Sequence, residues 1–196
     1  EYFQSLRNRC DETGTLLILD EIQAGFGRTG KFWAFEHFEI IPDILVCAKG
    51  MGGGMPIGAF IASKELMRVF EHGPVLGHIT TFGGHPVRCA ASLATLQVLL
   101  AENYIAEVAA KEKLFRELLV HPAIKSFRSK GLLIALEFDS FETNKKIIDT
   151  CIEMGVVTDW FLFAPHCLRI APPLIQSGNV ASKLRLAGQS HASLGF

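Results

Sequence analysis

The sequence predicts an α/β fold, a mostly parallel sheet with helices followed by a smaller α+β unit, on three observations. Continuous apolar runs at residues 15–20, 43–49 and 57–63 suit strands covered on both faces. Glycine-punctuated loops follow the first two runs, and ligands of open α/β sheets dock at such strand ends. Near residue 103 the texture changes to amphipathic helices with charge pairs at helical spacing, which divides the chain into 1–102 and 103–196.

Taken in order, residues 1–12 read as the end of a helix stopped at Gly14. "TLLILD" is the first strand, "EIQAGFGRTGKF" a loop, "DILVCAK" the second strand and "IGAFIAS" the third. "KELMRVFEH" is helical text, and the loop "GHITTFGGHP" leads to Pro86, which opens a long helix from its first turn. In the second part "IAEVAAKEKLFRELLV" is an amphipathic helix, "GLLIALEF" a strand and "ETNKKIIDTCIEMG" a helix ending at Gly155. "FLFAPHCLRIAPPL" reads as a strand pair or strand-turn. The tail 176–196 contains no Asp or Glu, is rich in Ser, Gly and Ala, and predicts weak structure.

With 196 residues, 49% of them hydrophobic, the chain can bury a substantial core. A net charge of -1 gives no electrostatic footprint for nucleic acid or an acidic membrane surface. No apolar run is long enough to span a bilayer, and the first residues do not read as a signal peptide. The five cysteines form no CxxC spacing and the seven histidines no HExxH spacing, so no metal is expected. The odd cysteine count favours a reduced, cytoplasmic setting.

Asp20 closes the first strand and Lys49 the second. If the strands are parallel, an acid and an amine share one edge of the sheet. Singly, a strand-end Asp more often caps a turn and a strand-end Lys more often points into water; together, before glycine-rich loops, they favour a site. A carboxylate and a lysine without a metal cluster suit pyridoxal phosphate (PLP). The lysine forms a Schiff base with the aldehyde, and the carboxylate keeps the pyridine nitrogen protonated. Glu21 is a poor partner for Asp20 in acid–base work, because strand neighbours point to opposite faces. Arg28 reads as a loop-fixing residue, His37 as packed or capping, and the phenylalanines at 26, 32, 35 and 38 as core or interface.

The stretch "LLILDEIQAGFGRTGKFWAFEHFEIIPDILVCAKGMGGGMPIGAF" resembles the signature region of class III (ornithine/acetylornithine/4-aminobutyrate-type) aminotransferases of the type I PLP fold, and the separation of Asp20 from Lys49 matches that family. The likeness continues through "HITTFGGHP" and "LRIAPPL", to about residue 175. It implies that 1–102 is part of the PLP-binding large domain and 103–196 the C-terminal small domain. It implies Lys49 as the Schiff-base lysine and proton shuttle, Asp20 on the pyridinium nitrogen and Gln23 on the phenolic oxygen. Thr81 would reach the phosphate of the neighbouring subunit's cofactor, which implies a homodimer, and Arg169 would hold a substrate carboxylate. The activity implied is transamination between an amino acid, an ω-amino donor being the best match, and a 2-oxo acid. A PLP-dependent aminomutase of the same fold and an inactive truncated fragment are the alternatives. His85 stands where the family has Asn, Ser129 replaces a common Gly, and the closing acidic helix is lacking in the tail. Family members are roughly twice this length, as suits a two-domain enzyme, and the phosphate-cradling loop and the aromatic that stacks on the cofactor ring are expected upstream.

Overall fold

A computed structural model describes residues 1–73, 79–175 and 184. Apart from Leu184, the divergent tail expected at 176–196 lies outside the described residues, as do 74–78. The chain forms two units, Glu1–Gly27 with Lys31–Asn103 and Arg28–Gly30 with Tyr104–Phe196.

The first unit opens with α1 (Tyr2–Thr13), stopped by Gly14 at φ 64°. That left-handed backbone costs a glycine little, and Thr15 N–H then closes the helix end on the Cys10 carbonyl at 2.9 Å. Cys10, Leu17 and Ile40 form the buried centre of a small core flanked by Phe3, Leu6, Leu19 and Phe35. The sheet has order β1 (Ile18–Asp20), β2 (Ile44–Cys47), β3 (Ala59–Ala62). β1 and β2 are parallel, whereas β3 returns antiparallel to β2. Phe60 and Ile61 of β3 are exposed rather than covered on both faces. α2 (Lys64–Met67) is capped by Ser63, and α3 (Pro86–Ala101) starts at Pro86 as its sequence predicts.

The second unit packs α4 (Val108–Leu118) and α5 (Phe141–Glu153) with an antiparallel sheet of order β4 (Ser126–Lys130), β5 (Leu133–Glu137), β7 (Ala164–Ile170), β6 (Asp159–Phe161). Side chains alternate along strands, so Ile134, Leu136, Leu168 and Ile170 share one face. These four join Val108, Phe115, Ile148 and Cys151 in the core. The opposite face carries Arg128, Ala135, Glu137, Cys167, Arg169 and Asp159 by the strand register. Three residues from the β1 loop complete this unit. Arg28 O accepts from Leu132 N–H at 2.9 Å, and Arg28 Nη1 donates to the carbonyls of Leu132, at 3.2 Å, and Pro172. Gly131 allows the close approach, since a Cβ there would lie 2.7 Å from Thr29 Cα. Burial lowers the pKa of the Arg28 guanidinium, which has carbonyls rather than a carboxylate as these partners.

No helix among the described residues is long and apolar enough to cross a membrane.

Candidate active site

The parallel pairing sets Asp20 opposite Val46, so the carboxyl ends of β1 and β2 lie at one edge. Asp20 stands at the end of β1, and Lys49 opens a 3₁₀ turn (Lys49–Gly52) just past the end of β2. Both side chains are exposed. The Asp20 carboxylate accepts the Ile22 N–H through Oδ1 at 2.9 Å. Its neighbour Glu21 behaves oppositely. Glu21 is 3% exposed, and its two oxygens accept the N–H groups of Ala34 and Phe35 at 3.0 and 2.9 Å. Glu21 therefore anchors the loop, while Asp20 stays at the surface of the edge.

Lys49 has φ 42°, left-handed backbone that a non-glycine residue adopts at a cost of about 1–2 kcal/mol. Phe26 also has positive φ, at 56°. The two strained residues belong to loops that touch: a Cβ at Gly50 would sit 3.2 Å from Phe26 Cβ. Phe26 is itself held edge-on by Phe32 and Trp33, with ring centroids 5.5 and 5.0 Å away. Gly25 gives Trp33 its space, since a Cβ there would approach the ring to 2.8 Å. The turn after Lys49 is equally tight. Met51 N–H closes on the Ala48 carbonyl at 3.0 Å, and a Cβ on Gly53, which has φ 56°, would overlap Thr95 Oγ1. A packed aromatic cluster and bare glycine backbone thus support one strained, solvent-facing amine.

Gln23 is exposed in the loop after β1. Thr81 lines a groove of about 610 Å³ with Pro56, Gly58, Thr80, Gly83 and Arg88. His85, at the variant family position, accepts the Val87 N–H on Nδ1 at 3.3 Å and so caps α3. Ser129 donates to Glu112 Oε1 at 2.5 Å and accepts from Arg116 Nη2 at 2.6 Å, which ties β4 to α4.

Of the five residues singled out, Asp20 and Lys49 are brought to one sheet edge, Gln23 follows Asp20 in its loop, and Thr81 lies against the segment after the Lys49 glycines. Arg169 belongs to the second unit, on β7. Its guanidinium meets Asp159 of β6 through two hydrogen bonds, and Thr158 Oγ1 donates to the Arg169 carbonyl at 2.6 Å. Sequence reasoning missed Asp159; the signal was a carboxylate on the strand preceding the arginine, within reach of a hairpin partner.

The aminotransferase class-III family description matches residues 1–184. An acetylornithine aminotransferase from Caldanaerobacter subterraneus is 42% identical over 180 residues, covering 89% of this chain and 44% of its own length. An ornithine aminotransferase from Toxoplasma gondii, solved with partial occupancy of PLP at its active site, superposes with a TM-score of 0.89 at 30% identity. That match covers 98% of this chain and 47% of the other. An N-acetylornithine aminotransferase from Stenotrophomonas maltophilia gives a TM-score of 0.82 at 27% identity, over 98% and 52% of the two chains. The chain spans about half the length of these relatives.

Proposed function

Since the chain belongs to the class-III aminotransferases, we propose that it carries the lysine-bearing part of a PLP-dependent enzyme that moves an amino group between an amino acid and a 2-oxo acid. Residues 1–102 are then part of the PLP-binding large domain and 103–196 the C-terminal small domain. The observation that carries this reading is Lys49, kept at positive φ where glycine is favoured, at the same sheet edge as Asp20. Strain of this kind persists where the surrounding structure over-determines it, and it clusters at functional sites.

The residues fit the cofactor. The Lys49 amine is exposed, the following turn is bare backbone, and Asp20 presents a carboxylate at the end of the adjacent parallel strand. Bound PLP supplies an aldehyde that condenses with amines and a ring that accepts electrons. Lys49 Nζ would be its attachment point and, when free, the base that takes a proton from the substrate carbon and returns it. Asp20 would hold the proton on the pyridine nitrogen, and Gln23 would orient the ring through its phenolic oxygen. Thr81 donates its hydroxyl to the phosphate held by a second copy of the chain, which makes the working form a homodimer. Arg169 grips a substrate carboxylate with two parallel N–H groups. An ω-amino donor such as ornithine, acetylornithine or 4-aminobutyrate is the favoured substrate, in keeping with the acetylornithine and ornithine aminotransferases it resembles. The free cysteines suit the cytoplasm.

Mixing the purified chain with PLP tests the reading without requiring turnover. A visible absorption band is expected, with a borohydride-trapped mass adduct mapping to Lys49. A Lys49→Ala variant that keeps the band unchanged would defeat the assignment.

A further inference from the structure

Away from these residues, three metal-ligating side chains converge on the second sheet. Glu137 of β5 and Cys167 of β7 are direct cross-strand partners. With His166 they bring one donor atom each to within 4.8 Å of one another. His166 Nε2 is 3.7 Å from Glu137 Oε1. Cys167 is a free thiol and fully buried, whereas Glu137 and His166 are half-exposed. The cluster therefore has a sheltered sulfur and a solvent-accessible rim.

A cation already occupies this place. Arg128 Nη2 lies 3.5 Å from Cys167 Sγ and 3.8 Å from Glu137 Oε2. The Arg128 side chain is 63% exposed, and exposed ion pairs hold weakly. The guanidinium can swing into water and leave the three donors free.

We propose that Glu137, His166 and Cys167 form a zinc-binding site from which the metal displaces the Arg128 guanidinium. One thiolate, one imidazole and one carboxylate make a donor set suited to Zn²⁺, with a fourth position for water. Sulfur disfavours Ca²⁺ and Mg²⁺, which take oxygen ligands. The donor atoms, within 4.8 Å of one another, would close onto a tetrahedral ion at about 2.0–2.3 Å from each. On binding, a Zn–S bond forms and the S–H bond breaks, its proton passing to solvent. The imidazole binds neutral and the carboxylate already charged, so the two negative ligands balance the divalent ion. Ligand spacing along the sequence did not show the site because the donors sit on two strands that meet only in the sheet. The proposal is independent of any reading of Lys49.

Calorimetric titration of the purified chain with Zn²⁺ alone, with Co²⁺ as a coloured substitute, tests it. One equivalent should bind, with proton release and a sulfur-to-cobalt charge-transfer band. Loss of a group that merely orients a metal ligand costs roughly 10–100-fold in affinity, so Glu137→Gln should weaken binding by at least that range. Cys167→Ser should abolish the band. Arg128→Gln should tighten binding, because it removes the competing cation. Cys89→Ser, at an exposed thiol, should change nothing. Absence of the band in the unaltered chain, or its survival in Cys167→Ser, overturns the site. Should Cys167→Ser not fold, the opposite effects of Glu137→Gln and Arg128→Gln decide, and unchanged affinity in both overturns it.

Discussion

Arg169 and Asp159 stand opposite one another on paired strands and share two hydrogen bonds, Nε to Oδ1 at 2.7 Å and Nη2 to Oδ2 at 2.5 Å. The fork assigned to a substrate carboxylate thus already holds one from its own chain. The side chains are 33% and 48% exposed, so solvent screens the pair, but its bidentate geometry puts it at the upper end of exposed ion pairs, about 1 kcal/mol. A dissolved carboxylate can exchange with Asp159 at that cost. Asp159→Asn is expected to lower the dissociation constant for a 2-oxo acid by up to about fivefold, measured by calorimetry. A higher constant would show that Asp159 supports the arginine instead of competing for it.

Lys49→Gly should stabilise the fold while removing the amine. Glycine adopts positive φ without the side-chain clash that a lysine suffers, so relief of about 1 kcal/mol is expected, less glycine's greater entropy loss on folding. Urea denaturation reads this as a higher midpoint. A midpoint below that of the unaltered chain would mean that the lysine side chain contributes packing that outweighs its backbone strain.

Gly25→Ala should do the reverse. The added methyl meets the Trp33 ring at 2.8 Å and the Glu21 carbonyl at 2.9 Å, and overpacking of this kind costs typically about 1–3 kcal/mol. The same change should disturb Phe26 against Gly50, so a shift in Trp33 fluorescence is expected together with a weaker PLP band. Unaltered stability and fluorescence would count against the aromatic cluster as the support of the Lys49 turn.

Acid should loosen the first unit through Asp43. Its carboxylate accepts the Leu17 N–H at 2.7 Å and pairs with Arg7 at 2.7 Å. The backbone hydrogen bond first, and then the arginine, hold its pKa below the usual carboxylate range. A folded-state value below the unfolded one, about 3.9, gives stability that is present above that pH and lost as pH falls through the folded value. Denaturation midpoints of the unaltered chain should fall below about pH 4, and Asp43→Asn should flatten that decline. Identical pH profiles for the two proteins would remove Asp43 from the account.

Much of this architecture is legible from the sequence where one local rule dominates. Gly14 marks the end of α1, Pro86 the start of α3, and the apolar run around Leu45 a strand. β4 escapes such reading because Ser126–Lys130 is polar and charged apart from Phe127, the side chain it turns towards the core. The direction of β3 is equally hidden. Its apolar text resembles that of β2, yet the connection between them has only the 3₁₀ turn Lys49–Gly52 and no α-helix to carry a parallel crossover, and the strand returns antiparallel. For the site, residue type and spacing put Asp20 and Lys49 at one edge, and the parallel register agrees. Beyond a carboxylate on the strand before Arg169, the engagement of Arg169 with Asp159 and the convergence of Glu137, His166 and Cys167 are fixed by strand register rather than by any linear spacing.

The clasp made by Arg28–Gly30 bears on how such a gene can be rearranged. A recombination breakpoint between residues 103 and 104 would join the second unit to the recipient's own loop, which supplies a carbonyl for Leu132 but supplies the guanidinium that binds Pro172 only if it carries an arginine there. Exchange of this unit between related enzymes should therefore keep its packing best where the recipient carries an arginine at the position of Arg28.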